Sequence, residues 1–330
     1  MGGAGDGLMP HPEAIRQVVA EGVLADSLGI DVFSIGEHHR PEYAISSPEM
    51  VLAALAPLTR TITLGSAVTV LSSDDPVRVY ERFATLDAVS NGRAEVMLGR
   101  GSFTESFPLF GFDLNDYERL FEEKLDLFVK LLDERPVTWS GTTRAPLRNQ
   151  SVFPKTAGRL DTWVGVGGSP QSVIRAAKYG LPIVFAIIGG TPGRFSRYTD
   201  LYEQACAQFG HRARPVGMHS PGFIADDDAE ARELFWPGYK AQHDLIGGER
   251  GWPPLSRAQY DHEINHGSLY IGSPETVAQK IAAGMRAVRA ERFEMVYTFG
   301  AQSAAARVRT LELYGREVVP RVRELLGDAS

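Results

Sequence analysis

The sequence predicts an α/β protein, a (β/α)8 barrel of the TIM type, whose first strand is missing or atypical. Seven short apolar segments with strand character alternate with amphipathic helices, and no fixed-period repeat accompanies this alternation. Such alternation favours parallel strands joined by right-handed helical crossovers in a sheet that closes on itself. The 330 residues, 43% of them hydrophobic, could form two ordinary domains or one barrel, and we expect a single domain over residues 1–330.

Local signals predict the elements of the first half. Apolar residues at helical spacing predict a first helix that ends at Ser27-Leu28-Gly29. Ser47-Pro48 has the form of an N-cap followed by a first-turn proline, and Asn91-Gly92 ends a later helix. The predicted elements are a helix containing residues 15–23, a strand over 30–35, a helix over 47–57, a strand over 61–71, a helix over 76–89, a strand over 94–98 and a helix with an apolar stripe over 116–132.

The second half begins with a segment rich in Pro, Gly, Thr and Arg. Residues 134–160 are interpreted as an irregular connection or a small hairpin that Trp139 packs down. The region 226–285 is expected to hold helices, and its Pro- and Gly-rich part, 247–267, is a candidate lid insertion. The remaining predicted elements are strands over 163–166, 183–187, 216–224 and 293–297, with a helix over 169–179.

An eighth strand should precede the first helix. Residues 1–11 contain Gly and Pro and are poorly apolar, so no strand is recognised there. Either the barrel is open at this position, or the reading frame begins downstream of the natural start.

Composition excludes several classes of protein. The formal charge of −7 is spread over interspersed acidic and basic residues, so nucleic acid is not an expected partner. The single cysteine, Cys206, lies on a helix face and is interpreted as a packed thiol in a reducing compartment. No apolar run has the length of a membrane span, and residues 1–5 have no signal-peptide pattern. We therefore expect a cytoplasmic protein with no membrane partner.

The run Gly36-Glu37-His38-His39-Arg40 directly follows a predicted buried strand. The carboxyl ends of strands are where α/β proteins keep their chemistry. Adjacent strand residues point to opposite faces, and no HExxH motif or cysteine cluster is present, which disfavours a metal site at the two histidines. They could be a structural pair, but we favour a catalytic or cofactor-contacting histidine, because an imidazole suits proton transfer near neutral pH.

A second feature is the turn Gly167-Gly168-Ser169 before a predicted helix. It is not a classical dinucleotide fingerprint, because Pro170 replaces the third glycine and no acidic residue ends the next strand. Free N–H groups, the helix dipole and the hydroxyls of Ser169 and Ser172 could bind a phosphate, although simple helix capping also explains the pattern. Arg100, between two glycines at a strand end, could bind that phosphate bidentately or form a surface salt bridge.

No GxSxG elbow, P-loop or kinase motif is found, so an activated serine and nucleoside triphosphate chemistry have no support. An anion pocket and a histidine remain. The ordered set of motifs over residues 18–299, dense from 29 to 132, resembles the luciferase-like flavin monooxygenases. The motifs are Gly36-Glu37-His38-His39, residues 65–71 with Pro76-Val77-Arg78, Asn91-Gly92-Arg93, Gly99-Arg100-Gly101, Gly167-Gly168-Ser169-Pro170 and Gly272-Ser273-Pro274-Glu275-Thr276-Val277.

This resemblance implies a TIM-type barrel that binds reduced FMN, or in some branches the deazaflavin F420, at the strand carboxyl ends. It implies that His38 is the active-site histidine and that Ala67-Val68 forms a non-proline cis peptide beneath the flavin ring. Gly99 stands where the luciferases carry a reactive cysteine, so substrate handling is expected to differ. The residues that the resemblance assigns to the cofactor are Ala67 and Val68 at the ring, Arg100, Gly167, Gly168, Ser169 and Ser172 at the phosphate, and Gly189 and Gly190 along the pocket.

The resemblance also implies a reaction. The segments 37–41 and 72–76 are more similar to the FMN branch than to the F420 branch, so the first hypothesis is a monooxygenase of a small organic substrate. No nicotinamide domain is recognised, and a separate flavin reductase is therefore expected to supply FMNH2. The alternatives are an F420-dependent hydride transferase and a non-catalytic flavin-binding protein. Helices beginning at Ser47 and Pro76 carry apolar residues beyond one buried stripe, which favours a homodimer.

Overall fold

A computed structural model of the chain describes residues 9–101 and 103–327. These residues divide into two compact units, a first unit over 9–165 and a second unit over 166–327. Strand Asp161–Val166 ends at the division, and it is described with the first unit.

The first unit alternates helices with parallel strands. Its elements are α1 (His11–Ser27), β1 (Val32–Ile35), α2 (Pro48–Leu55), β2 (Thr63–Val70), α3 (Pro76–Ser90), β3 (Ala94–Gly99), α4 (Ser106–Phe110), α5 (Tyr117–Leu131), β4 (Val137–Trp139), β5 (Leu147–Gln150) and β6 (Asp161–Val166). Strands β1, β2, β3 and β6 pair in parallel in that order, while β4 and β5 form an antiparallel pair. Parallel strands expose all their carboxyl ends at one edge of the sheet, so the loops after β1, β2 and β3 meet there.

The middle of β2 is irregular. Its pairing with β3 shifts register between Ala67 and Thr69, and the Ala67–Val68 peptide bond is cis, as the family resemblance implied. The Thr69 hydroxyl donates to the Ser66 hydroxyl at 2.8 Å, and the same Ser66 oxygen accepts the Met97 N–H from β3 at 3.3 Å. Side-chain hydrogen bonds therefore hold the bulge where the ladder is interrupted.

The second unit continues the alternation. Its elements are α6 (Pro170–Lys178), β7 (Ile183–Ala186), α7 (Ser196–Gln208), β8 (Val216–Ile224), α8 (Asp228–Arg250), α9 (Arg257–His266), β9 (Tyr270–Gly272), α10 (Pro274–Val288), β10 (Arg292–Val296), α11 (Ala304–Leu313) and α12 (Val319–Leu326). Strand β8 pairs in parallel with β7, with β10 and, at its carboxyl end, with β9.

All seven strands expected from the sequence are present, β8 with the expected ends and the other six with ends that differ by one or two residues. The structure adds the three-residue β9. Residues 134–160 contain the β4–β5 pair, and the buried Trp139 donates its indole N–H to Asp126 at 2.9 Å. Cys206 is a buried free thiol, as predicted.

The candidate lid, residues 247–267, is largely helical. It consists of the end of α8, a connection over 251–256 and helix α9. Tyr239 of α8 and Tyr260 of α9 belong to a buried apolar cluster together with Phe223 of β8. The segment is thus anchored by a core of its own, and its function as a lid stays a prediction.

The prediction of a missing first strand falls mainly on residues 1–8, which lie outside the described residues. Met9 forms an isolated β-bridge, and α1 begins two residues later. The single-domain assignment stays a prediction. No helix in residues 9–101 and 103–327 is long and apolar enough to cross a membrane.

Asp26, near the end of α1, binds residues 60–62, the segment that leads into β2. Its carboxylate accepts the backbone N–H groups of Arg60, Thr61 and Ile62 at 2.8–2.9 Å and the Thr61 hydroxyl at 2.9 Å. Burial opposes ionisation, but these hydrogen bonds outweigh it and lower the pKa of Asp26 to about 2. The carboxylate therefore stabilises the fold at neutral pH.

We expect Asp26→Ala to lower the free energy of unfolding by about 2–3 kcal/mol at pH 7, because three backbone donors lose a charged acceptor. Since the folded-state pKa is depressed, the contribution is complete above about pH 4 and is lost as the pH falls towards 2. Urea denaturation at several pH values measures this, with the exposed Asp133→Ala as a matched control. A pH-independent difference between wild type and Asp26→Ala would contradict the assignment.

Candidate active site

The carboxyl end of β1 brings the predicted histidine against the bulge of β2. After Ile35 the chain continues through Gly36, where an added Cβ would lie 3.1 Å from the Ala67 carbonyl oxygen and 3.2 Å from His38 Nε2. Glycine thus permits the close approach of this turn to β2. At the next residue, the Glu37 N–H donates to the Val68 carbonyl at 3.3 Å. His38, Ala67 and Val68, the residues that the family resemblance assigned to the active site, are therefore close together.

His38 lies in an aromatic setting. Its ring is 4.1 Å from the Tyr43 ring and 5.5 Å from the Phe103 ring, centroid to centroid. Burial disfavours the imidazolium, and the positive charges of His39 and Arg40 add to this, so the pKa of His38 falls to about 4. Within the described residues, no hydrogen bond engages either ring nitrogen. The imidazole is therefore neutral at pH 7 and available as a proton acceptor or donor.

The neighbouring residues have different partners. His39 Nε2 is 2.9 Å from Glu37 Oε1, and Arg40 forms ion pairs with Glu42 and with Glu105. The two imidazoles also have different ring neighbours, Tyr43 and Phe103 for His38 and Phe110 for His39. In the part of the chain that the structure describes, no group of three or more His, Cys, Asp and Glu residues is arranged to hold a metal ion.

A small cleft opens beside these groups, with about 230 Å³ of empty space that includes open solvent. Carboxylates, imidazoles and an aromatic ring share its wall. The lining residues are Glu37, His38, His39, Val70, Gly101, Phe103, Glu105 and Ser106. Most of the lining side chains are thus polar or ionisable, and Val70 and Phe103 are the apolar ones.

The position of the Val68 side chain explains why two nearby positions, one on β3 and one on β6, are glycines. A Cβ on Gly99 would lie 2.6 Å from Val68 Cγ2, and a Cβ on Gly165 would lie 2.8 Å from Val68 Cγ1. Neither position can carry a side chain while Val68 keeps this place. The cysteine that the luciferases have at the position of Gly99 is therefore incompatible with the present packing of Val68.

We expect Gly99→Ala to destabilise the protein by about 1–3 kcal/mol, because the new methyl group overlaps Val68. The Val68 Cβ itself would lie 2.9 Å from the new methyl group, so Val68 must become glycine to clear the space. Gly99→Ala should therefore cost less stability in a Val68→Gly background than in wild type. Urea denaturation gives both values, and Gly158→Ala is the control because its Cβ would meet no atom within 4 Å. Equal stability of Gly99→Ala and wild type would refute the packing argument.

Arg100 lies at the end of β3, where the sequence placed it. Its guanidinium forms an ion pair with Glu118 and lies 4.9 Å from the centre of the Tyr117 ring. The surface salt bridge considered as an alternative is therefore present. Exposed pairs of this kind contribute little free energy, so a phosphate could compete for the guanidinium.

In the second unit, the predicted phosphate turn precedes α6. Gly168 has a φ of +93°, and Gly167 borders open space because a Cβ there would meet no atom within 4 Å. Ser169 caps the helix by accepting the Ser172 N–H at 3.2 Å, and the two serine hydroxyl oxygens are 2.8 Å apart. Capping, the other explanation considered for this sequence, is thus observed, and phosphate binding stays a prediction.

The predicted pocket residues Gly189 and Gly190 follow β7. The Gly190 N–H donates to the Glu263 carboxylate, with both oxygens at 3.1 Å, and Glu263 belongs to α9 of the candidate lid. Sequence reasoning did not single out Glu263. Nor did it assign roles to Glu37 or Phe103, whose contacts join residues far apart in the chain and leave no local pattern.

Parallel strands that end in a histidine, an arginine and carboxylates are typical of α/β enzymes. The sequence model of the luciferase-like monooxygenase family matches residues 2–292 of this chain. The chain therefore belongs to the luciferase-like monooxygenase family and is an oxidoreductase of that class.

Two relatives illustrate the range of this family. The 4-hydroxyprotoasukamycin monooxygenase of Streptomyces nodosus subsp. asukaensis is 27% identical over 90% of this chain and 84% of its own. The alkanal monooxygenase alpha chain of the Kryptophanaron alfredi symbiont is 29% identical over 67% of this chain and 61% of its own.

Solved structures are similar over almost the whole chain. The monooxygenase RslO1 of Streptomyces bottropensis has a TM-score of 0.82 at 22% identity, covering 94% of each chain. The oxygenating constituent of 3,6-diketocamphane monooxygenase from Pseudomonas putida, in complex with FMN, has a TM-score of 0.77 at 20% identity, covering 94% of each chain. The coenzyme F420 dependent tetrahydromethanopterin reductase of Methanopyrus kandleri has a TM-score of 0.71 at 19% identity, covering 93% of this chain and 95% of its own. These similarities confirm the predicted α/β barrel class.

Proposed function

We propose that this protein is a flavin-dependent monooxygenase that uses reduced FMN and O2 to oxygenate a small organic substrate. The observation that carries the proposal is His38, a neutral imidazole without a hydrogen-bonding partner among the described residues, held against the bulge at Ala67–Val68. Reduced FMN would supply the two electrons that activate oxygen. The chain itself would supply orientation, exclusion of water and a proton acceptor or donor at the His38 ring.

The residues fit such a cofactor in character. We propose that Ala67 and Val68 support the flavin ring, since Val68 projects from an irregular strand into space that Gly99 and Gly165 leave free of side chains. For the phosphate we propose Arg100. In the second unit, taken by itself, we propose the turn Gly167–Gly168 with Ser169 and Ser172 as an anion site. The open space at Gly167 and the N-terminus of the nine-residue helix α6 are features that suit an anion.

His38 would act on a proton at the reacting end. With a pKa of about 4 it is unprotonated at pH 7, so it can accept a proton, and its remaining N–H can donate a hydrogen bond. The rings of Tyr43 and Phe103 fix its plane and keep the surroundings apolar. We propose that the organic substrate lies against this aromatic wall. Within the second unit, α9 is tied to Gly190 through Glu263, and its function as a lid stays a prediction.

Partners are part of the proposal. A separate flavin reductase is proposed as the source of reduced FMN, because the sequence shows no dinucleotide fingerprint with its acidic residue. A homodimer is proposed because Met50 of α2 and Val89 of α3 leave apolar side chains more than half exposed. Light scattering of the purified protein tests the dimer. A cytoplasmic location stays a prediction from the sequence.

The alternative is an F420-dependent hydride transferase, which shares this fold, as the structure of the Methanopyrus kandleri reductase demonstrates. A flavin-binding protein without turnover is the third possibility. Both lack oxygen chemistry and can be separated from a monooxygenase by turnover.

The test is a single-turnover reaction. The protein is loaded anaerobically with reduced FMN, mixed with oxygen in the presence of a panel of aldehydes, ketones and phenols, and assayed for oxygenated products by mass spectrometry. We expect a product that carries label from isotopic O2. Flavin reoxidation that yields only hydrogen peroxide with every compound in a broad panel would count against monooxygenation and in favour of the non-catalytic reading.

A further inference from the structure

Glu37 is a buried carboxylate whose oxygens are both engaged at the end of β1. Its side chain is 8% exposed, and that of His39 is 9% exposed. Oε2 accepts the Val70 N–H at 2.8 Å, and Oε1 lies 2.9 Å from His39 Nε2. A carboxylate is acceptor-only, so it can serve two N–H donors at once.

The Val70 contact replaces a missing rung of the β1–β2 ladder. Regular pairing of the two strands ends at Ile35 and Ser66. The Glu37 N–H still donates to the Val68 carbonyl, and in a continuing parallel ladder the next acceptor, for the Val70 N–H, would be the main-chain carbonyl of Glu37. The carboxylate of the same residue takes that place. Glu37 thus contacts residues 68 and 70 on both sides of Thr69.

The main chain leaves the sheet at this point. The His38 N–H donates to the Ile45 carbonyl at 3.1 Å, in the loop that follows β1. On the far side of the turn, the His39 ring packs edge-on against Phe110 at 5.1 Å. Glu37 is therefore the residue that ties this turn, with His38 in it, to the irregular part of β2.

The surroundings of Glu37 raise its pKa above the ordinary value of a glutamate. Burial raises its pKa, and Asp74 adds to that rise, while the Val70 N–H and His39 oppose it. His38 itself faces the positive groups His39 and Arg40, and Arg40 is paired with Glu42 and Glu105. Removal of Glu37 would leave two buried N–H donors without an acceptor.

We propose that Glu37 is a positioning residue, which holds Val68–Val70 of β2 and the His39 ring in place and so fixes His38 against Tyr43 and Phe103. This inference rests on the proposed function, since His38 and Val68 are the groups assigned to the reacting end. Glu37 is not assigned a proton-transfer step.

Three substitutions separate position from charge. Glu37→Gln has the same length, so its amide oxygen can accept from Val70 and its NH2 can donate to His39 in the other tautomer. Glu37→Asp keeps the charge but is one methylene shorter and cannot reach both donors. Glu37→Ala removes both contacts. A positioning role therefore predicts that Gln resembles wild type, whereas Asp and Ala do not.

The readout is the pKa of the His38 ring in the protein without cofactor, followed by proton–nitrogen correlation NMR and assigned with His38→Gln. In wild type and Glu37→Gln we expect a value near 4, and in Glu37→Asp and Glu37→Ala a rise towards the ordinary 6.5, because a released ring gains solvent. The exposed Glu291→Asp serves as the matched control. If Glu37→Ala does not fold, Glu37→Asp carries the test.

Two results would overturn the inference. A His38 pKa that stays near 4 in the Asp and Ala variants would show that Glu37 does not position the ring. If the pKa of His38 were as in wild type in Glu37→Asp but raised in Glu37→Gln, the charge of Glu37 and not its position would control the His38 ring. Because this titration needs neither flavin nor turnover, it stands even if the monooxygenase proposal fails.

Discussion

Replacing His38 by alanine is expected to leave the binding of reduced FMN unchanged while product formation per flavin oxidised falls by roughly 100- to 10,000-fold, the usual range for loss of a general acid–base group. The ring makes no hydrogen bond within the described residues, so its removal should disturb the fold little. Electrons from the flavin should appear in hydrogen peroxide instead. Product and peroxide are quantified together with the dissociation constant of reduced FMN.

The pH dependence sharpens this prediction. Because the pKa of His38 is lowered to about 4, the ring stays neutral as the pH decreases from 8 to 5. In the wild type, the product formed per flavin oxidised should therefore stay constant over that range. An ordinary histidine would titrate near 6.5 instead. His211→Ala, which removes an exposed histidine bonded to the Lys178 carbonyl, is the control. An unchanged product yield in His38→Ala would remove His38 from the mechanism.

Arg100→Ala is expected to raise the dissociation constant of FMN by roughly 10- to 100-fold, since a hydrogen bond to a charged group contributes about 1.5–3 kcal/mol. Riboflavin has no phosphate, so its binding should be unaffected. Fluorescence titration with both ligands measures the two constants. The comparison separates the contribution of the phosphate to binding from that of the flavin ring.

Two surface variants serve as controls for Arg100. Arg119→Ala breaks the exposed ion pair with Asp116 and should not change FMN binding. Glu118→Ala removes the ion pair that Glu118 forms with Arg100 and should leave FMN binding equal or tighter. The phosphate assignment would be rejected if the dissociation constant of FMN were unaltered in Arg100→Ala. It would also be rejected if the affinity for riboflavin fell by the same factor.

The sequence predicted the strands well because each is an apolar run bounded by turn residues. Strand β8, for example, was predicted with its observed ends, Val216 and Ile224. Strand β9 was missed because three residues, Tyr270–Gly272, are too few to show a periodicity. It is a strand because it pairs with β8, Tyr270 opposite Gly222. Residues so far apart in the chain leave no local sequence pattern.

The site was predicted in part. His38 was recognisable because a polar run follows a buried strand, and the cis bond at Ala67–Val68 was implied by resemblance. Glu37 stood in the same motif, but its hydrogen bond to Val70 spans 33 residues, and no local spacing reveals it. The reason for Gly99 was likewise hidden, because only the position of Val68 in space excludes a side chain there.

The central claim is that this chain binds reduced FMN at the carboxyl ends of its strands, and an anaerobic titration tests it most directly. Purified protein is titrated with FMNH2 and, separately, with reduced F420, and fluorescence reports binding, with Arg100→Ala measured in parallel. We predict saturable binding of FMNH2 that weakens in Arg100→Ala, and little binding of F420. Selective binding of F420, or of neither cofactor, would contradict the account.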